Sequence, residues 1–341
     1  MEKRMQYSIV IPVFNRPDEV DELLQSLTEQ TVKDFEVIIV EDGSETKCKD
    51  VAEKYKEQLH LIYYYKKNSG PGDSRNYGVA RANGEYVIIL DSDCVLPPAY
   101  LAEVDKELRN NPCEAFGGPD RAGDSFTQVQ KAISYSMTSF FTTGGIRGGK
   151  KKMDKFYPRS FNMGVRRDVY NKLGGFSKMR FGEDIDFSIR IFKAGYRCRL
   201  FPEAWVWHKR RTDMEKFFKQ VFNSGIARIN LEKRHPGTMK LVHLLPAVFT
   251  VGVIALVIAS LILRLTGSPL WMYTILPVVL FVLLIFIDSS KQYKSMSIGV
   301  LSVEAAFVQL FGYGLGFLKA WWQRCVLGKG EFCAFEKKFY D

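Results

Sequence analysis

The sequence predicts an α/β chain, a mostly parallel sheet with flanking helices, followed by C-terminal transmembrane helices. Three observations carry that reading. Residues 7–14, 35–40, 59–65 and Tyr86–Leu90 are short apolar runs rich in β-branched residues and without alternation, as in strands buried on both faces. Helical spacing separates the first two runs. Near the C-terminus, residues 241–263 and 269–287 carry almost no charge.

Taken in order, the first run (YSIVIPVF) ends at Asn15-Arg16. Pro17 then suits a first helical position, and Val20, Leu23, Leu24 and Leu27 follow at i, i+3, i+4, i+7. The second run ends in Glu41-Asp42-Gly43-Ser44, and the fourth, YVIIL, in Asp91-Ser92-Asp93. Parallel strands deliver these polar ends to one rim, where ligands of open α/β sheets gather. Two carboxylates one residue apart make an oxygen site for a hard divalent cation. No G-x-G-x-x-G follows the first strand, which argues against a dinucleotide fold of that type. Residues 68–78 read as a Gly/Pro/Asn loop carrying Arg75, a side chain suited to phosphate. The glycine-rich stretch 144–149 and lysines 150–152 read as a mobile, solvated loop.

Phe181-Gly182-Glu183-Asp184-Ile185-Asp186 opens a further helix with more carboxylates than capping needs. Asp184 and Asp186 both remain candidates for a base on these grounds. Trp205-Val206-Trp207-His208 ends another apolar strand.

Four stretches in this order resemble glycosyltransferase family 2: SIVIPVFN, VIIVEDGS, NSGPGDSRNYGVARANGEYVIILDSD and GEDIDF. The resemblance covers roughly residues 6–212. It implies a GT-A fold (Rossmann-like) and inverting transfer from a nucleotide diphosphate sugar. It further implies that Pro12 and Asp42 contact the nucleotide base, with Asn15 on the same rim, and that Arg75 lies near the diphosphate or sugar. Asp91 and Asp93 would form the D-x-D motif, with Asp93 on the metal (Mg²⁺ or Mn²⁺). Glu183 and Asp184 form the acidic pair, Asp184 as catalytic base, and His208 matches a histidine that closes the metal site in some members. Glu41 stands where Asp is commoner, with the charge kept.

The chain has 341 residues and a formal net charge of +10. Between Lys209 and Lys240 there are nine Lys/Arg against three acids, just before the first long apolar run. That position suits an anionic membrane surface rather than nucleic acid. The six cysteines show no metal spacing, so reduced thiols and a cytosolic catalytic face are expected. The N-terminal residues show no signal peptide pattern.

The expected organisation is a GT-A domain over 1–212, a basic juxtamembrane segment over 213–240, and a transmembrane region over 241–322. Its spans are 241–263, 269–287 and 298–322, and a tail follows over 323–341. The third span carries Glu304, Lys319 and four glycines. Length favours three crossings, although a re-entrant element would leave the basic tail inside. The expected function is transfer of a sugar to a hydroxyl of a lipid-linked glycan, by a multi-pass protein of the cell (inner) membrane with a cytoplasmic catalytic domain. A polyprenyl-phosphate sugar synthase is the nearest alternative, but its acceptor is already an anion and needs no base. A processive synthase lacks support because Q-x-x-R-W is absent. A catalytically silent sugar-nucleotide sensor is the alternative from another class.

Overall fold

The computed structural model describes residues 6–121, 126–143, 156–209 and 211–335. The chain forms two compact units, Met1–Gly123 with Met153–Lys209, and Asp124–Lys152 with Arg210–Asp341. The glycine-rich stretch 144–149, lysines 150–152, Arg210 and the last residues of the tail lie outside the described residues.

The first unit is built on a seven-stranded sheet. In chain order its strands are β1 (Tyr7–Val13), β2 (Phe35–Asp42), β3 (His60–Lys66), β4 (Tyr86–Leu90), β6 (Ala115–Gly117), β8 (Asn162–Arg166) and β9 (Cys198–Leu200). Their spatial order is β3-β2-β1-β4-β8-β6-β9. All pair in parallel except that β8 runs antiparallel to both β4 and β6. The expected mostly parallel sheet is therefore present. A second sheet joins β5 (Cys94–Val95), β10 (Val206–His208) and β7 (Asp120–Arg121).

The unbroken apolar runs are explained by cover on both faces. Ile9, Ile11, Val37, Ile39 and Ile88 pack with α1 (Pro17–Thr28), α2 (Lys49–Lys54) and α4 (Tyr100–Asn110). Val10, Ile38, Val40, Val87 and Ile89 pack with α3 (Pro71–Val79), α7 (Arg167–Leu173) and α8 (Glu183–Lys193). In α1 the buried positions include Val20, Leu23, Leu24 and Leu27, the helical stripe read from the sequence.

One local expectation needs correction. Residues 68–78 are not a loop throughout, because α3 begins at Pro71 after Gly70 at φ 94°. Proline at the first turn starts the helix. Of the glycines that resembled a loop, Gly78 serves close packing: a Cβ there would lie 2.5 Å from Val10 Cγ1.

The second unit contains α5 (Gln128–Thr138), α6 (Phe140–Thr143), α9 (Met214–Arg234), α10 (Leu245–Leu265), α11 (Trp271–Tyr293) and α12 (Met296–Trp321). Residues 126–143 thus belong here, although the sequence reading included them in the 1–212 domain. A capping box between Thr127 and Gln130 starts α5. Its Ala132, Ile133 and Met137 then pack with Phe217, Val221 and Ala305 of α9 and α12. Three helices, α10, α11 and Met296–Val326, are long and apolar enough to cross a membrane.

Candidate functional site

β4 is buried throughout, so its C-terminal end brings Asp91 and Asp93 to the rim of the sheet. The chain turns there, with Cys94 N–H donating to Asp91 O across 3.1 Å, and enters β5. Strand β10 pairs antiparallel with β5 and sets His208 opposite Cys94. That register brings His208 Nε2 to 3.2 Å from Asp93 Oδ1. The imidazole is fixed from one side by the Phe161 ring, stacked at 4.7 Å.

Asp93 Oδ1 is buried and takes no directed hydrogen bond among the described residues. Arg16 Nη1 lies 2.5 Å from its other oxygen, Oδ2. Burial alone would push the Asp93 carboxyl up, but the charges of His208 and Arg16 outweigh it and hold the group well below the usual carboxylate range. Asp93, Cys94 and His208 offer ligand atoms that all lie within 4.8 Å of one another. Cys94 is the weak member of this set. Burial pushes its thiol well above the ordinary value, and Sγ donates to Phe161 O at 3.4 Å. A carboxylate oxygen and an imidazole nitrogen remain, two donor atoms of the kinds that hold divalent cations.

Beside this pair, Arg75 joins two acids. Its Nη2 lies 2.8 Å from Asp91 Oδ1 and its Nη1 3.0 Å from Glu183 Oε1. The guanidinium is almost wholly buried, and Nε has no hydrogen-bond partner among the described residues. Glu183 starts α8 after Gly182, which takes φ 86°. Burial, reinforced by Asp184 and opposed by Arg75, pushes the Glu183 carboxyl up to about 7.

The two aspartates of α8 have different surroundings. Arg159 Nε lies 2.7 Å from Asp184 Oδ2 in an ion pair, and Asp184 Oδ1 accepts from Ile185 N–H at 2.8 Å. Asp186 is held by Arg190 one turn on, at 3.0 Å. Arg190 also donates to Leu173 O and Gly175 O, so this pair ties α8 to the end of α7.

The family is decided by comparison with known proteins. The glycosyl transferase family 2 model matches residues 8–174. The uncharacterized glycosyltransferase YwdF of Bacillus subtilis is 30% identical over 213 residues, covering 59% of this chain and 73% of YwdF. This chain belongs to glycosyltransferase family 2. An uncharacterized Haemophilus influenzae glycosyltransferase is 29% identical over 193 residues, 54% of this chain and 62% of that one. A Rickettsia felis glycosyltransferase is 40% identical over 102 residues, but this chain spans only 16% of its length. The mannosyltransferase PcManGT of Pyrobaculum calidifontis, solved with GDP-Man and Mn²⁺, has a TM-score of 0.62 at 18% identity. The alignment covers 90% of this chain and 88% of that one, and it supports the GT-A fold.

The remaining rim residues of this family 2 chain organise loops. Asn15, at φ 53°, accepts at Oδ1 from Glu45 and Thr46 N–H at 2.8 and 3.1 Å. Asp42 accepts from the Ser69 and Gly70 amides, both at 2.9 Å, and from Lys66. Pro12 pairs with Val40 beyond the last residues that β1 shares with β4. Glu41 is buried and spent internally, accepting from Cys48 N–H, Tyr63 and Ser44. Sequence reasoning missed Arg16, Lys66, Arg159 and Phe161. Arg16 alone carried a signal, standing next to Asn15 at a strand end.

Proposed function

We propose that this chain transfers a sugar from a nucleotide diphosphate sugar, with inversion, to a hydroxyl of a lipid-linked glycan acceptor. The observation that carries the reading is His208 Nε2 at 3.2 Å from Asp93 Oδ1, at the strand end where the resemblance puts the D-x-D motif. Asp93 and His208 would hold a Mg²⁺ or Mn²⁺ ion, which supplies positive charge against the leaving diphosphate. PcManGT, with the same fold, was solved with both a nucleotide sugar and Mn²⁺.

In this reading Pro12, Asn15 and Asp42 form the nucleotide end of the site. Arg75 keeps Asp91 and Glu183 together, so the acceptor side and the D-x-D side stay in register. Asp184 takes the acceptor proton as the hydroxyl attacks the anomeric carbon. Asp186 has a structural part in this reading, because its partner Arg190 also bonds Leu173 O and Gly175 O and so ties α8 to α7. The organisation proposed with it is a catalytic domain on the cytoplasmic side of the cell membrane, supported by the basic run from Lys209 to Lys240.

The test is turnover of a panel of nucleotide sugars by purified protein, with and without EDTA. Metal-dependent release of nucleoside diphosphate is expected, and binding without release would support the silent sensor. A second reading is favoured by the Arg159–Asp184 ion pair. A phosphate acceptor needs no base, and a paired Asp184 would then serve structure alone. Transfer to a polyprenyl phosphate that survives Asp184→Asn would establish that reading.

A further inference from the structure

The basal ends of α10 and α11 rest on α12. The buried positions of α10 are Ala247, Thr250 and Ser260, and those of α11 are Ile285 and Ser289. Ser260 bonds Trp271 O within the hairpin, whereas the others mark its base. Thr250 Oγ1 donates to Leu310 O, Ser289 meets Ser302, and a Cβ on Gly314 would lie 2.5 Å from Pro246 O. The first half of α12 follows α11 from Ser290 to Phe281, and its second half then passes the first turns of α10.

One partner of α12, the helix α9, carries charged residues along its length. α12 lies alongside α9 in the same direction, from Ala305 near Phe217 and Val221 to Arg324, which donates to Asn230 Oδ1. The approach is backbone to backbone. A Cβ on Gly316 would lie 2.0 Å from Phe222 O, and one on Gly225 2.2 Å from Tyr313 O. α9 carries Lys216, Lys219, Arg228, Lys233 and Arg234. Any membrane depth given to α12 is given to these charges as well. α12 itself exposes Glu304 and Lys319, about 22 Å apart along a helix.

The tail is fastened to the same helix. Asn223 exchanges two hydrogen bonds with the backbone of Ala334, and Asn230 donates to Phe332 O. Arg234 pairs with Glu331 at 2.8 Å. At the other end of the platform, Asp288 accepts from Tyr135 of α5 at 2.6 Å, a polar contact at the base of the hairpin.

We infer that the chain crosses the membrane twice, as the α10–α11 hairpin, while α12 lies in the lipid headgroup layer on a platform shared with α5 and α9. The hairpin exposes a continuous apolar surface, among it Val251, Ile258, Leu261, Leu276 and Leu280. α10 has 21 residues, about 31 Å, and the uncharged part of α11, residues 271–287, is about 25 Å long, both near the thickness of a hydrocarbon core. Trp321 and Trp322, exposed at the end of α12, sit where interfacial aromatics belong. The tail therefore stays on the side of α9, and its cationic residues never cross. This replaces the three crossings that length alone favoured, and it does not depend on which sugar or acceptor is used.

The test is sidedness of thiol labelling in the full chain, in sealed membrane vesicles of both orientations. Cys325 is native and exposed, and Cys198 and Cys333 are changed to serine. Cys325, Ser224→Cys on α9 and Thr266→Cys in the hairpin turn are each labelled with a membrane-impermeant maleimide. Cys325 and Ser224→Cys are expected to react from one face, and Thr266→Cys from the other. Labelling of Cys325 from the face that labels Thr266→Cys, or of all three from one face, overturns the inference.

Discussion

Arg159 Nε lies 2.7 Å from Asp184 Oδ2, so the carboxylate proposed as the base is paired with a cation from the loop before β8. An Asn at 184 keeps the volume but cannot accept the acceptor proton. Asp184→Asn is expected to lower transfer by about 10²–10⁴-fold while nucleotide-sugar affinity is retained. Arg159→Ala is expected to lower kcat and spare the donor KM, because it frees the carboxylate without touching the donor end. Steady-state kinetics with separate binding measurements check both, and unchanged transfer by Asp184→Asn would move the reading to a phosphate acceptor.

Asp93→Ala and His208→Ala remove the two donors that the β5–β10 pairing brings together. Asp93→Ala should abolish turnover while leaving the fold intact, since the residue lies beyond β4. His208→Ala should raise the Mn²⁺ concentration needed for half-maximal turnover by at least ~10-fold. Manganese titrations of both variants decide this, and an unchanged curve for His208→Ala would make the histidine structural.

Arg75 compensates Asp91 and Glu183 together inside the protein. Arg75→Ala leaves both carboxylates without that partner and should destabilise the catalytic unit by about 3–5 kcal/mol. Arg75→Lys keeps the charge but loses the two-armed geometry, so an intermediate loss is expected. Chemical denaturation of both variants measures the difference.

The Glu183 carboxyl, pushed up to about 7 by burial and by Asp184, has a pH consequence. The folded state holds this proton more tightly than the unfolded chain, whose carboxyl titrates near 4.5. The stability it contributes is fully present below about pH 4.5 and is lost as pH rises through about 7. Metal-free protein should therefore lose thermal stability between about pH 5 and 7.5, on the order of 1–3 kcal/mol. Glu183→Gln should flatten that slope, which melting curves across the range would reveal.

The α9–α12 seam has no room for a side chain. Gly316→Leu should lower the melting temperature in detergent, with a loss of at least about 1–3 kcal/mol, because the new Cβ meets the backbone of Phe222 rather than a movable side chain. Gly252→Leu, on the open surface of α10, should be nearly neutral.

By itself the sequence determined the sheet and its rim. Tyr86–Leu90 was legible as a doubly buried strand because an apolar β-branched run of that length has few other solutions, and it carried Asp91 and Asp93 with it. The helix stripe of α1 was legible for the same local reason. What the sequence left open was partnership across long stretches of chain. Asp184 and Asp186 are equivalent as helix-start acids, and only packing gave one to Arg159 and the other to Arg190. Arg75 read as a phosphate ligand on a loop, and the tertiary structure buried it between two acids. Likewise α12 is as long and apolar as a span, since hydropathy records composition and not the neighbour a helix packs on. Its glycines admitted the charged helix α9 at backbone distance, and that contact, absent from any local window, decides where the helix lies.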